Sequence, residues 1–297
     1  MATMKTLNGY GFNATELNGK AASDYLQKTD TASDSAKLGG KAPEYYIQPR
    51  NLLDNSDFRN PVNQRGQTDY TSNGYTIDRW ELYFGAVGVT SLGYITTSGQ
   101  MYQKIAIPTD KVYTFAIKND AGIALVTGIP ANGISSATLG NALIKLATIN
   151  GYVEVVIEPS EGHNLAGAYW AALYEGSYTA ETLPPYVPKG YAAELMECQR
   201  YFIADVGTHK TGTIIDNIFE MYILLPTQMR IVPTAILKLP DNVVFNIGER
   251  KIIAVKSASV TYFKNLLVGI TLDIDNTGKQ YAIGATYLTR IDLSADL

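Results

Sequence analysis

The chain has one cysteine, Cys198, and two histidines, His163 and His209. A lone thiol closes no intramolecular disulfide, and no Cys/His cluster has the spacing of a zinc site, so no metal is expected. Charged residues are 18% of the sequence, below the usual quarter. With 24 Lys+Arg against 28 Asp+Glu there is no basic surplus to grip phosphates, which argues against a nucleic-acid partner. No apolar run reaches the roughly 18 residues of a membrane helix, so no membrane insertion is expected. There is no phosphate loop, no Gly-x-Ser-x-Gly elbow and no His-Glu-x-x-His motif, and no cofactor is implied. Met1-Ala-Thr-Met-Lys5 lacks an apolar h-region. The expectation is synthesis in a cytoplasm and release without a signal peptide.

What remains is apolar enough for real cores. The 297 residues are 46% apolar and include 21 Tyr against 8 Phe and 2 Trp, with 26 Gly and 12 Pro. That length suits about two domains, and the Gly and Pro content suits turn-rich β structure.

Residues 1–50 differ from the rest. Their long aliphatics are few and scattered: Leu7, Leu17, Leu26, Leu38 and Ile47. Leu17-Asn-Gly-Lys-Ala-Ala-Ser-Asp-Tyr25-Leu26 aligns with Leu38-Gly-Gly-Lys-Ala-Pro-Glu-Tyr-Tyr46-Ile47, and Leu7-Asn8-Gly9-Tyr10 is a truncated copy. So few apolar groups cannot bury a core alone. Burial between identical chains would supply one, whereas a linker would need none.

Strand signals begin after Asn51-Leu-Leu-Asp-Asn-Ser-Asp-Phe58 and Asp78-Arg79-Trp80. Trp80, Leu82 and Phe84 alternate with Glu81 and Tyr83; Tyr113, Phe115 and Ile117, then Val153, Val155 and Ile157, repeat the period. Ala168–Tyr174 reads as a more continuous strand. Such short alternating runs predict an antiparallel sandwich over 51–189. Pro184, Pro185 and Pro188 mark an exit linker. Both tryptophans are expected in the core. Over 190–297, Leu195, Cys198 and Phe202 share one helical face. Val268, Ile270, Leu272 and Ile274 predict a strand, as do Tyr281, Ile283, Ala285 and Tyr287. Asp275-Asn-Thr-Gly-Lys279 between them is turn chemistry, so these two strands are expected to form a hairpin.

Catalytic groupings are thin. Cys198 shares the apolar face of the helix and reads as a packed thiol. Asp54/Asp57 and Asp273/Asp275 are the nearest thing to a glycosidase pair, but Asp closes turns and polar strand faces meet water. No catalytic residue is assigned. The tyrosine excess is more informative, because a flat apolar ring with a polar tip matches a sugar face. Tyr83, opposite Trp80, is a candidate saccharide contact. So are His209, Lys210, Asp275, Asn276 and Lys279 in polar loops, since loops on rigid β scaffolds carry recognition.

The Leu-Gly-Gly-Lys repeats, preceded by Asp34-Ser-Ala-Lys37, resemble those in the N-terminal and shaft regions of bacteriophage tail fibres. Asn51–Phe58, Asp78-Arg79-Trp80 and Leu173-Tyr-Glu-Gly-Ser177 resemble the carbohydrate-binding-module-like jelly roll of phage tail and prophage proteins. In many such modules a Glu after the Phe helps hold calcium; here Arg59 stands at that place, so that site is not expected. Glu194–Phe202 and Pro226–Thr234 resemble the C-terminal domain of phage fibre and receptor-binding proteins. The resemblance implies a mainly β protein: an N-terminal stalk (1–50), a central jelly-roll-like sandwich (51–189) and a distal β domain with one short helix (190–297). It implies a homotrimer in the virion tail, made in a bacterial cytoplasm. Residues 1–50 would join other tail or baseplate proteins, and the protein would attach the particle to a host cell-surface saccharide without doing chemistry. In that picture Asp78-Arg79-Trp80 is a fold element, with an ion pair over the ring. A structural spacer without a receptor and a glycan depolymerase are the alternative functions.

Overall fold

The computed structural model describes residues 16–17, 20–21, 49–89, 95–159, 165–206, 210–237, 243–246, 251–274, 282–286 and 291–295. The chain divides into two units, Met1–Pro49 and Arg50–Leu297. In the first, β1 (Glu16–Leu17) pairs antiparallel with β2 (Lys20–Ala21); the rest of the Leu-Asn-Gly-Lys and Leu-Gly-Gly-Lys repeats lies outside the described residues.

The second unit is mainly β, with antiparallel pairing throughout its described strands and one described α-helix. Its first part is a sandwich of three sheets. β3 (Asp69–Tyr70), β6 (Val87–Val89), β7 (Ile95–Thr97) and β14 (Leu165–Ala168) form one. β4 (Gly74–Tyr75), β5 (Glu81–Phe84), β8 (Gln100–Ile105), β11 (Ser135–Leu139), β12 (Ala142–Ile149) and β13 (Tyr152–Pro159) form the second, in the order β11-β12-β13-β8-β5-β4. β9 (Tyr113–Asn119), β10 (Gly122–Gly128) and β15 (Trp170–Glu175) form the third. One core draws on all three sheets. Tyr113, Phe115, Ile117, Val153, Val155 and Ile157 are all buried in it, as their alternation requires, and Phe58 meets Trp80 edge to face at 5.3 Å. Asn150-Gly151, between β12 and β13, adopts positive φ at both residues (50° and 82°), the backbone that matches strand twist in a two-residue hairpin.

Three sandwich expectations need correction. The pairing of β5 with β8 shifts between Leu82 and Phe84. This bulge turns Phe84 outward, away from the core that holds Trp80 and Leu82. The continuous strand over Ala168–Tyr174 is two strands in different sheets, because the chain leaves β7 for β9 at Tyr169, whose N–H bonds Lys118 O at 2.8 Å. Trp170 therefore sits half-buried beside Asp57. Tyr186 stacks parallel on it at 4.7 Å.

After the helix (Tyr191–Cys198) come β16 (Phe202–Ile203), β17 (Thr211–Ile215), β18 (Ile218–Leu224), β19 (Thr234–Leu237), β20 (Val243–Asn246), β21 (Lys251–Lys264), β22 (Leu267–Ile274), β23 (Ala282–Thr286) and β24 (Ile291–Ser294). β16, β24 and β19 make a small sheet, and the other six close a barrel in the order β17-β18-β22-β21-β20-β23. Phe219, Met221, Val268, Ile270, Leu272 and Ile274 are buried in a second core. The expected hairpin of β22 with β23 is not formed. β18 and β21 already occupy both edges of β22, and β23 pairs instead with β17 and β20. The hairpin partner of β22 is β21, joined through Asn265 at φ 55°. On the helix, Glu194 and Cys198 are the buried residues, and Leu195 is only half-buried. Phe202 lies in β16, beyond the helix end.

Candidate functional site

Asn55, at φ 52°, folds its own amide into the opening segment. Its Nδ2 donates to the carbonyls of Val62 and Asp78, and its Oδ1 accepts from Val62 N. Its backbone N–H donates to Glu194 Oε2 at 2.6 Å. Around this knot the residues of Asp78-Arg79-Trp80 point three ways. Trp80 Nε1 donates to Asn55 O at 2.9 Å. Asp78 accepts from Gln64 N and from Arg65 Nη1, both at 2.9 Å. Arg79, nearly enclosed, donates to Asp54 Oδ2 at 3.3 Å and Lys104 O at 3.0 Å. The expected ion pair over the tryptophan is thus two ion pairs with other residues, and the ring beneath Arg79 is Tyr201, at 3.6 Å.

Arg65 forms part of the wall of a cleft. Its guanidinium lies 3.9 Å above the Phe202 ring and 5.0 Å from the Tyr75 ring. The cleft encloses about 390 Å³ between the segment Arg65–Tyr75 and the small sheet of the C-terminal part, with Phe202, Ile236 and Ser294 on the far side. Gln64 Nε2 ties the two sides together by donating to Phe202 O at 2.8 Å. Tyr70 supplies a second aromatic wall. Its hydroxyl donates to Asn63 Oδ1, and burial pushes it up to about 12, so it stays protonated at neutral pH. Gln67, Asp69, Thr71, Ser72 and Asn73 are exposed at the rim. Asp78 offsets the Arg65 charge. The result is a concave site of aromatic and methylene walls with amide, hydroxyl and carboxylate groups at its mouth, the combination that orients small polar ligands.

Of the contacts expected from sequence, Tyr83 and Lys210 do not line this cleft. Tyr83 is half-buried: its ring stacks on Tyr102 at 3.7 Å and its hydroxyl donates to Glu154 Oε2 at 2.8 Å. The bulge in β5 places it there, and Tyr102 covers one ring face. Around it Tyr102 donates to Glu81 at 2.6 Å and Lys104 pairs with Glu81 at 3.4 Å. Burial raises the Glu154 carboxyl above its ordinary range, partly offset by the Tyr83 bond and Lys104. Lys210 lies half-buried just before β17. His209, Asp275, Asn276 and Lys279 lie outside the described residues.

Other groups have structural duties. Arg59 grips Asp57 with Nε and Nη2 at 2.8 and 3.2 Å. Cys198 is buried, and that burial, reinforced by nearby carboxylates, pushes its thiol up. The proline segment after Leu183 is strapped to the sandwich. Tyr186 stacks on Trp170, and Lys189 Nζ donates to Leu53 O at 2.9 Å while lying 3.3 Å from Asp54 Oδ1 and 3.7 Å from Glu194 Oε1. Among the described residues no three His, Cys, Asp or Glu side chains group as metal ligands, and no helix is long and apolar enough to cross a membrane. Compared with protein-family models, curated proteins and solved structures, the chain matches none.

Proposed function

We propose that this chain is a tail-fibre or receptor-binding protein of a phage or phage-derived particle, and that it holds a host-surface saccharide in the cleft beside Arg65. The cleft carries the reading. Its size lies within the range of small-ligand pockets, Tyr75 and Ile236 give it accessible apolar wall backed by the buried rings of Phe202 and Tyr70, and its rim is rich in hydroxyl and amide groups. Sugar rings present apolar C–H faces and hydroxyl edges, which such walls and rims match. Because Asp78 offsets Arg65, the site suits a neutral hydroxylated ligand. The repeats in residues 1–50 and the resembling pieces of the sandwich and of the C-terminal part support the particle role: attachment to other tail or baseplate proteins, assembly with identical copies, and avidity from several weak sites meeting one surface.

The test is binding of the full chain to an array of bacterial cell-wall and envelope glycans, with Asn73→Trp and Tyr83→Ala as variants. Asn73 is exposed at the cleft mouth, so a tryptophan there obstructs the cleft without touching a core. The expected result is glycan binding by the wild type, weakened at least about tenfold (about 1.4 kcal/mol) in Asn73→Trp and unchanged in Tyr83→Ala. No glycan signal, or a signal that Asn73→Trp leaves intact, overturns the assignment.

A further inference from the structure

A sheet face in contact with water ordinarily alternates to polar residues. At one end of the outer face formed by β18, β22 and β21 it does not. Along β18 the exposed residues include Ile218, Tyr222 and Leu224, with Tyr222 63% and Leu224 75% exposed. Strand register lays out four rows across β18, β22 and β21: Ile218, Asp273 and Ser257; Glu220, Thr271 and Ser259; Tyr222, Gly269 and Tyr262; Leu224, Leu267 and Lys264. Tyr222 and Tyr262 meet edge to face over Gly269, with centroids 6.2 Å apart. Only glycine allows this, since a Cβ there would lie 2.8 Å from Tyr262 Cβ and 3.1 Å from Tyr222 Cε1. Leu266 and Leu267 extend the apolar strip around the hairpin end. A contiguous strip of this kind marks an interaction surface. In a closed barrel these strands have no free edge, so a partner meets the face rather than extending the sheet.

We infer that this face binds a second copy of the same chain about a two-fold axis. The charges at its corners carry the argument for self-association. Lys264 stands at the β21 end of one outer row, and Glu220 stands at the β18 end of the row two steps away; both are exposed. An axis lying in the interface and running diagonally through Gly269 exchanges these two corners. The strands of the two copies then cross near a right angle, one of the two usual arrangements of packed sheets. In that arrangement Lys264 meets the partner's Glu220, Leu224 meets the partner's Leu224, and Tyr222 lies on the partner's Leu267. The missing side chain at Gly269 lets the faces approach at the axis. An unrelated protein or a saccharide would need no such match of the strip to itself.

Sedimentation equilibrium of the full chain tests this. The expected wild-type mass is twice that of Leu224→Glu, whatever assembly residues 1–50 contribute. Lys264→Glu and Glu220→Lys each weaken the doubling by about tenfold, and the double reversal restores it. Leu224 is exposed, so its substitution leaves the protomer folded and removes only the concentration-dependent part of the melting temperature that pairing adds; it also leaves the affinity of the cleft for a soluble monovalent saccharide unchanged, which separates this inference from the cleft reading. Equal masses for wild type and Leu224→Glu, or failure of the double reversal to restore pairing, overturn the inference. So does loss of glycan-array signal in Tyr222→Ala with all masses equal, which would make the face a saccharide site.

Discussion

Arg79 occupies φ 72°, a backbone region that costs an ordinary side chain energy and persists where its surroundings over-determine it. Here three partners fix it: Asp54, the Lys104 carbonyl and the Tyr201 ring. A lysine cannot reproduce the planar stack and the forked bonds together. Arg79→Lys is expected to lower unfolding free energy by about 2 kcal/mol and Arg79→Ala by about 3 kcal/mol, near the low end for breaking a buried pair because Asp54 keeps Lys189; urea titration measures both. Glu154 acts in the opposite sense. Burial raises its folded carboxyl above the unfolded value. The folded state therefore holds the proton to higher pH, and this site's contribution to stability is lost as pH rises from the unfolded pKa through the folded one. Glu154→Gln keeps an acceptor for the Tyr83 hydroxyl and removes the buried charge. It is expected to raise the melting temperature at pH 7, with the gain vanishing below about pH 4. A gain of the same size at both pH values would mean that the carboxylate is not what opposes folding.

At the scale of elements, turns decide which strands meet. Asn150-Gly151 is expected to be among the most sensitive two-residue loops, because both residues hold positive φ. Asn150→Val places a β-branched side chain in that region and is expected to cost about 1–2 kcal/mol, read from the shift of the urea midpoint at constant slope. Local pattern made much of the β architecture legible. The buried set Val268, Ile270, Leu272 and Ile274 follows directly from period two; on β9 and β13 the alternating apolar residues are buried too, but so are Thr114, Ala116, Glu154 and Val156 between them, because both faces of those strands are covered. Pattern could not show which edge each strand uses. Asp275–Lys279 has turn chemistry, yet β22 is already paired on both sides, so non-local pairing overrides a local signal. A one-residue bulge was likewise invisible, and it moved Tyr83 against Tyr102 and Phe84 into solvent. The cleft was hidden for the same reason. Arg65, Tyr70 and Tyr75 are close in sequence, but Phe202, Ile236 and Ser294 reach them only through the fold. The one hint was the density of Tyr, Asn and Arg between Asn63 and Tyr75.

At the scale of the molecule, the boundary expected at residues 189 and 190 falls inside the single compact unit Arg50–Leu297. Its two cores are separate clusters, but the groups that join them are polar and aromatic: Asn55 N–H on Glu194, Gln64 on Phe202 O, Arg65 over Phe202 and Arg79 over Tyr201. The two hydrogen bonds leave a buried or half-buried partner unsatisfied when broken and the two stacks lose their cation–ring attraction, so separating the parts carries a cost that a flexible linker would not impose. The sandwich and the barrel should therefore unfold together. Calorimetry of the full chain is expected to show one transition for this unit. Removing the Arg79 and Arg65 side chains in one variant should divide it into two, the barrel and the sandwich each melting on its own core. Residues 1–49 form the other unit, and their removal is expected to leave that single transition in place, because both cores lie wholly beyond residue 50. Two transitions in the wild type would mean that the stacked arginines hold the parts in register without coupling their stability. The cleft between Tyr75 and Phe202 would then open independently of either core, and the saccharide binding proposed for it would fall on heating before either core melts.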